Sequence, residues 1–338
     1  MATETYKQLE SDVDIISNDP VKVSSGLFSG GAGSITAFYT SSLAGNASAS
    51  YYNVYDKVQS DSTREVQFAV GYAHFGGSGS LGNTTKTTAG NRETAALYRQ
   101  FANVLLPPLT EKFTFTGYTT ASDDFYFVVM NRARQREKMD PGNWELHLKG
   151  AWTKLIDDSG ATTTPTVNQA GRVFNIVSGS IAGGTADIKT TAAAGGSFGN
   201  FYPDLGIAII DANKIAVSSQ NDITLNRDTN AFTSQSKQFF ESISAGSYFA
   251  ARREEEVTST MYFCRANNQQ FNFSNNPTFA TASTGAFTQA TFEKDPKVFI
   301  TQVGLYNDQS ELLAVAKLSK PVLKSYSREA IIKVKLDF

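Results

Sequence analysis

One cysteine, two histidines and two tryptophans stand in a chain of 338 residues, and each scarcity removes a class of chemistry. Cys264 alone excludes an intramolecular disulfide. Its neighbours Met261, Tyr262 and Phe263 predict an inert, partly buried thiol, and no histidine lies near it in sequence. His74 and His147 each fall inside a strand pattern, without the His-x-x-x-His spacing that a zinc site needs. No Asp-x-Asp-x-Asp-Gly loop calls for calcium. No run approaches the roughly 18 apolar residues of a membrane span. The opening stretch MATETYKQLESDVD lacks the basic-then-apolar order of a signal peptide. The expectation is a protein made in a cytoplasm and not inserted in a membrane. Charged residues make up only 18%, below the usual quarter or so. The formal net charge of −2 argues against a basic face for nucleic acid.

What fills the chain instead is Thr, Ser, Asn, Gln, Ala and Gly, with 24 Phe and 14 Tyr, a mix that favours strands. Hydrophobic residues reach 41%, enough for real cores in two domains or one large β-domain with insertions. Tyr51–Val58 and Val66–Phe75 alternate apolar and polar residues and predict strands. Residues 92–106 are the one convincing helix, with Leu97, Phe101, Val104 and Leu105 on one face. Asn91 is its expected cap, and Pro107-Pro108 ends it. Lys112–Tyr118, Phe125–Met130, Trp144–Gly150, Trp152–Ile156 and Arg172–Val177 follow as strands. Residues 178–200 read as loop, Leu205–Ile210 and Ile215–Ser218 as a hairpin, and Ser236–Ile243 as a short helix. Val257–Arg265 is a strand, and the Asn- and aromatic-rich residues 266–290 are a long loop.

The last forty-odd residues organise the chain. Val298–Tyr306 ends at the turn pair Asn307-Asp308, Leu312–Leu318 returns, and Pro321 is expected to stop the pairing. In the closing strand Ile332, Val334, Leu336 and Phe338 alternate with Lys333, Lys335 and Asp337, so the apolar set faces a core. The fold class is mainly β, with sandwich-like domains, one packed helix and long Gly/Ala/Thr-rich loops. The expected organisation is an N-terminal arm (1–25), a β-rich domain (26–177), a loop-rich insertion with a hairpin (178–256) and a C-terminal β domain (257–338). Loops this long point to neighbouring subunits that hold them.

Few constellations carry chemistry. Gly77-Ser-Gly79-Ser-Leu-Gly82 matches G-x-G-x-x-G, but the Asn-Thr-Thr-Lys-Thr-Thr that follows makes a poor helix, so a loop is the expectation. The acid pairs Asp123-Asp124 and Asp157-Asp158 sit in turns, where carboxylates are solvated or capping more often than catalytic. Arg132, Arg134, Arg136 and Lys138 form the densest basic run. It reads as a solvated connector, or as an interface strip whose Arg forks hold carboxylates, with phosphate binding the weaker option. Phe271, Phe273 and Phe279 read as interface aromatics ahead of a sugar-stacking platform. No catalytic, cofactor or metal residues are assigned; the candidate interface residues are Arg132, Arg134, Arg136, Lys138, Phe271 and Phe273.

Two stretches carry a resemblance. ITQVGLYNDQSELLAVAKLSKP (Ile300–Pro321) resembles modules near the ends of tail and baseplate proteins of contractile-tailed bacteriophages. FYFVVMNRARQREKMDPGNWELHL (Phe125–Leu148) resembles virion structural proteins of T-even-like phages of marine cyanobacteria. The resemblance implies a structural subunit without catalysis, a baseplate wedge component that assembles in the host cytoplasm with other tail subunits and copies of itself. The rival reading is a receptor- or glycan-binding tail appendage, which should expose Trp or Tyr in a shallow groove; a polysaccharide-cleaving enzyme is the third.

Overall fold

A computed structural model describes residues 6–18, 20–27, 39–40, 51–57, 60–79, 92–150, 154–161, 165–182, 185–217, 223–225, 235–246, 248–281 and 283–337. The protein is mainly β, and the strands of its largest sheet pair antiparallel. It divides into two units, Val23–Glu255 and a smaller one built from Met1–Lys22 with Glu256–Phe338.

The larger unit is organised by Asp124–Met130, whose sequence DFYFVVM is apolar on both sides. Such a run belongs in the middle of a covered sheet. It pairs with Val66–His74 on one edge and Ile207–Asp211 on the other. The order along the sheet is Phe249–Ala250, Glu145–His147, Lys154–Asp157, Gly171–Ala182, Gly199–Tyr202, Ile207–Asp211, Asp124–Met130, Val66–His74, Tyr51–Tyr55 and Tyr39–Thr40, with Thr166–Asn168 and Thr185–Thr190 also paired to Gly171–Ala182. Alternation along Asp124–Met130 divides the core in two. Phe125 and Phe127 pack under the helix Glu93–Leu105, where Phe101 lies 4.8 Å from the Phe127 ring and Tyr98 lies 4.9 Å from Phe125. Tyr126 and Val128 face the opposite core, where Tyr126 stacks at 4.6 Å on Phe239 of the second long helix, Gln235–Gly246. Gly71 is needed across from Phe127, because a Cβ there would meet the ring at 2.3 Å.

Several expectations are corrected. The boundary at 177/178 falls inside the strand Gly171–Ala182, and the described residues of 178–200 are mainly strand. That strand turns back through Thr185–Thr190, and Gly199–Tyr202 then joins the main sheet. The glycines that suggested a loop mark close backbone approach. A Cβ on Gly179 would meet the Asp187 carbonyl oxygen and the Ile156 side chain at 2.5 Å. The hairpin of this region is Gly199–Tyr202 with Ile207–Asp211, and Ala212–Val217 is a helix rather than the return strand. Asp211 Oδ1 accepts the Asn213 amide at 2.9 Å and starts that helix. Lys112–Tyr118 is no strand either. It makes a single bridge, Phe113 to Ser122, while Phe113 and Phe115 are buried as anchors beneath the Glu93–Leu105 helix. The N-terminal arm is not free, because Ile15–Ser17 pairs as a strand with residues 260–262. Asn91, Trp152 and Phe338 lie outside the described residues.

Candidate functional site

In the smaller unit the strands Ile15–Ser17, Ser259–Ala266 and Ala330–Asp337 form one sheet with Ser259–Ala266 in the middle. The register places Ile15 beside Tyr262, Tyr262 beside Val334, Cys264 beside Ile332 and Thr260 beside Leu336. Cross-strand partners share a face, so these residues make one largely apolar surface. Val334 is 5% exposed, Ile332 and Leu336 are half-buried, and Ile331, Lys333 and Lys335 point outward. This is the register expected for the closing strand.

A second element, the hairpin Val298–Tyr306 with Leu312–Lys324, is a two-stranded sheet of its own. Asn307 builds its turn: Oδ1 accepts the amides of Gln309 and Glu311 at 3.1 and 2.8 Å, and Nδ2 donates to Glu311 at 2.7 Å. Pairing runs past Pro321, contrary to expectation. The ladder steps from Gln302–Lys317 to Ile300–Val322, so Pro321 sits in the bulge between and gives up no ladder hydrogen bond. The hairpin leaves Phe299 63% and Leu313 67% exposed, with Leu312 and Val315 also open.

A cleft of about 850 Å³ is lined by the sheet residues Ile15, Cys264, Ile332 and Leu336, and by the hairpin strand from Val298 to Tyr306. Tyr6 lines it as well and meets Tyr306 edge-on at 5.1 Å. Lys7 Nζ donates to the Arg265 carbonyl at 3.0 Å, and Arg265 Nε lies 3.1 Å from the buried Asp14. Phe271 and Phe273 line the same cleft, and Phe271 holds a left-handed backbone at φ +52°. Their loop is tied down by Lys324, whose buried ammonium donates to Asn268 O, Asn272 Oδ1 and Ser325 O at 3.0, 2.9 and 3.1 Å. Burial pushes the Lys324 pKa down. Burial, with Asp14 nearby, pushes the Cys264 thiol up, so the thiolate is disfavoured on this wall.

The six candidate interface residues do not come together in one unit. Phe271 and Phe273 belong to the smaller unit, and the basic run belongs to the larger. Arg132–Gln135 is a single helical turn capped by Asn131. Arg134 pairs with Glu65, and Arg136 Nη1 lies 3.1 Å from Glu255. Lys138 sits in a short strand against Glu254, and Arg132 is exposed. The acid pairs separate. Asp123 is exposed at 2.7 Å from Lys112, while Asp124 is buried and accepts from the Tyr72 hydroxyl at 2.9 Å. Asp157 accepts the Gly142 amide at 3.0 and 2.9 Å on its two oxygens, and Asp158 accepts from Asn175 at 2.9 and 2.8 Å. Asp157 thus holds a turn, and Asp158 ties the end of the strand Lys154–Asp157 to the strand Gly171–Ala182. Trp144 is buried, stacked 5.4 Å from Phe201, and so offers no sugar platform. Phe279 is buried too, as the hub of an aromatic cluster with Phe273, Phe287 and Phe292. Of the G-x-G-x-x-G stretch, Ser80, Leu81 and Gly82 lie outside the described set, as do the residues that follow up to Asn91. Among the described residues no three His, Cys, Asp or Glu side chains gather as a metal site, and no helix is long and apolar enough to cross a membrane.

No family model, curated protein or solved structure matches this chain. Tyr6, Tyr306 and Lys324 were not singled out from sequence. Lys324 had no local signal, because its acceptors lie more than fifty residues upstream or on its own turn.

Proposed function

We propose that the chain is a structural subunit of a contractile bacteriophage tail, a baseplate wedge component that acts through assembly and not through catalysis. Its partners are other tail subunits and copies of itself, and its place is the virion after assembly in the host cytoplasm. The observation that carries this reading is the Val298–Lys324 hairpin, a two-stranded sheet with Phe299, Leu313 and Val315 open to solvent. A lone hairpin is marginal in water, and a cluster of exposed apolar side chains marks an interaction surface. The same stretch contains Ile300–Pro321, on which the resemblance to phage tail proteins rests.

The test is the composition and map of intact tails. The chain should be present in purified tails and should account for density in a cryo-EM map of the baseplate. Leu313→Asp should leave the melting of the free protein unchanged and prevent its incorporation. Absence of the chain from purified tails would sink the reading. So would turnover of host envelope polysaccharide that disappears on replacing Asp123 or Asp157.

A further inference from the structure

The cleft of the smaller unit is lined by Val298, Phe299, Ile300, Gln302 and Val303, and on through Gly304, Leu305 and Tyr306. Consecutive residues of a strand point to opposite faces. A cavity that touches both alternating sets along one strand therefore looks onto its edge as well as a face. Among the described residues Val298–Tyr306 pairs only with Leu312–Lys324, so its other edge carries backbone N–H and C=O groups without a ladder partner. The wall supplied by Cys264, Ile332 and Leu336 is apolar and half-covered, ready for every second side chain of an added strand.

Charge narrows the occupant. Lys7 stands on the cleft and bonds a carbonyl and an amide oxygen, not a carboxylate. Among the residues that line the cleft the charged ones are Lys7, Arg265 and Asp308, two cations to one anion. An occupant with acidic ends complements that surface. We propose that the cleft receives an extended, alternately apolar segment with acidic flanks from a neighbouring subunit, added as a third strand on the free edge of Val298–Tyr306. The inference rests on the assembly reading for the source of the strand; the recognition chemistry stands on the cleft itself.

The full chain is titrated with a fluorescein-labelled peptide of alternating valine and threonine flanked by glutamates. The same peptide with lysine flanks, an N-methylated version that keeps every side chain but loses backbone donors, and decanoate serve as comparisons. The expected result is saturable binding of the glutamate-flanked peptide alone, with slowed amide exchange in Val298–Tyr306 and slowed alkylation of Cys264. Lys7→Glu should weaken that peptide by about tenfold. Equal binding of the N-methylated peptide, or displacement by decanoate, would show an apolar pocket without strand addition and overturn the proposal. No binding by the glutamate-flanked peptide overturns it too. Because the titration uses the free protein, either failure leaves tail assembly standing, while absence from purified tails would leave the peptide result intact.

Discussion

Deletion of Leu336–Phe338 removes the end of the central strand's partner and separates two roles for it. Leu336 pairs with Thr260 and Asp337 with Ser259, and the Ser259 hydroxyl donates to Asp337 at 2.6 Å. Leu336 is half-buried, so its loss from the apolar face costs on the order of 1 kcal/mol, half of a full burial. The ladder bonds of two residue pairs add about 1–2 kcal/mol. The sum, roughly 2–3 kcal/mol, is large for a unit of about a hundred residues, where each kcal/mol moves the midpoint by about 4–8 °C. Differential scanning calorimetry of the free protein should show the transition of the smaller unit lowered by about 8–24 °C. The transition of Val23–Glu255 should stay where it is. Val334→Ala, which trims a side chain of the same buried face, should move the same transition in the same direction by about 2 kcal/mol. An unchanged melt for both variants, with assembly lost, would show that the strand serves a neighbour and not its own unit.

Other outcomes follow from particular contacts. Arg172 donates its amide to Asp204 Oδ2 at 2.7 Å and two guanidinium nitrogens to Oδ1 at 3.1 and 2.8 Å, with Glu254 3.4 Å away. Arg172→Met should destabilise the larger unit by about 3 kcal/mol, and Arg172→Lys by less, in urea titration; equal stability of all three proteins would refute the assignment. Burial alone would raise the Asp204 pKa, but the Arg172 hydrogen bonds and charge hold it below the usual carboxylate value. Its folded pKa is depressed, so this stability is present above about pH 4 and is lost as pH falls through the folded pKa, which an acid titration of wild type against Asp204→Asn measures. Lys324→Met leaves three oxygens without their ammonium donor and should speed amide exchange in the loop that carries Phe271 and Phe273. Cys264 should react with a thiol reagent at pH 8 more slowly than free cysteine, and denaturant should abolish the difference.

What sequence patterns made legible was local. The helix 92–106 shows because Leu97, Phe101 and Leu105 recur at helical spacing before a double proline, and it is found at Glu93–Leu105, although Val104, expected on the same face, is exposed. Val298–Tyr306 is found with the expected ends, and the closing strand has the expected register. The errors arise where tertiary contact overrides local composition. Gly179 and Gly199 look like loop residues, yet each lies in a strand where the neighbouring backbone comes too close for a Cβ. Phe113 and Phe115 alternate like strand residues but are held as buried anchors, with the Phe113 amide donating to the Tyr98 hydroxyl at 3.2 Å. The cleft was not legible at all. It joins Tyr6, Cys264, Phe299 and Ile332, which no window of sequence contains together.

The order in which a ribosome makes the smaller unit differs from the order in which it folds. Tyr6 to Ser17 emerges first, but the strand it pairs with arrives only after the whole of Val23–Glu255 has been made. The larger unit has its own strands complete by then and is free to fold as an independent body. The sheet of the smaller unit closes only when Ala330–Asp337 is released. A copy interrupted between residues 256 and 330 therefore carries a complete large unit and no finished cleft. Such a copy lacks the cleft wall of Ile332 and Leu336, so under the proposed strand addition it would offer no seat for a neighbour's segment, and the order of synthesis itself would separate finished chains from unfinished ones.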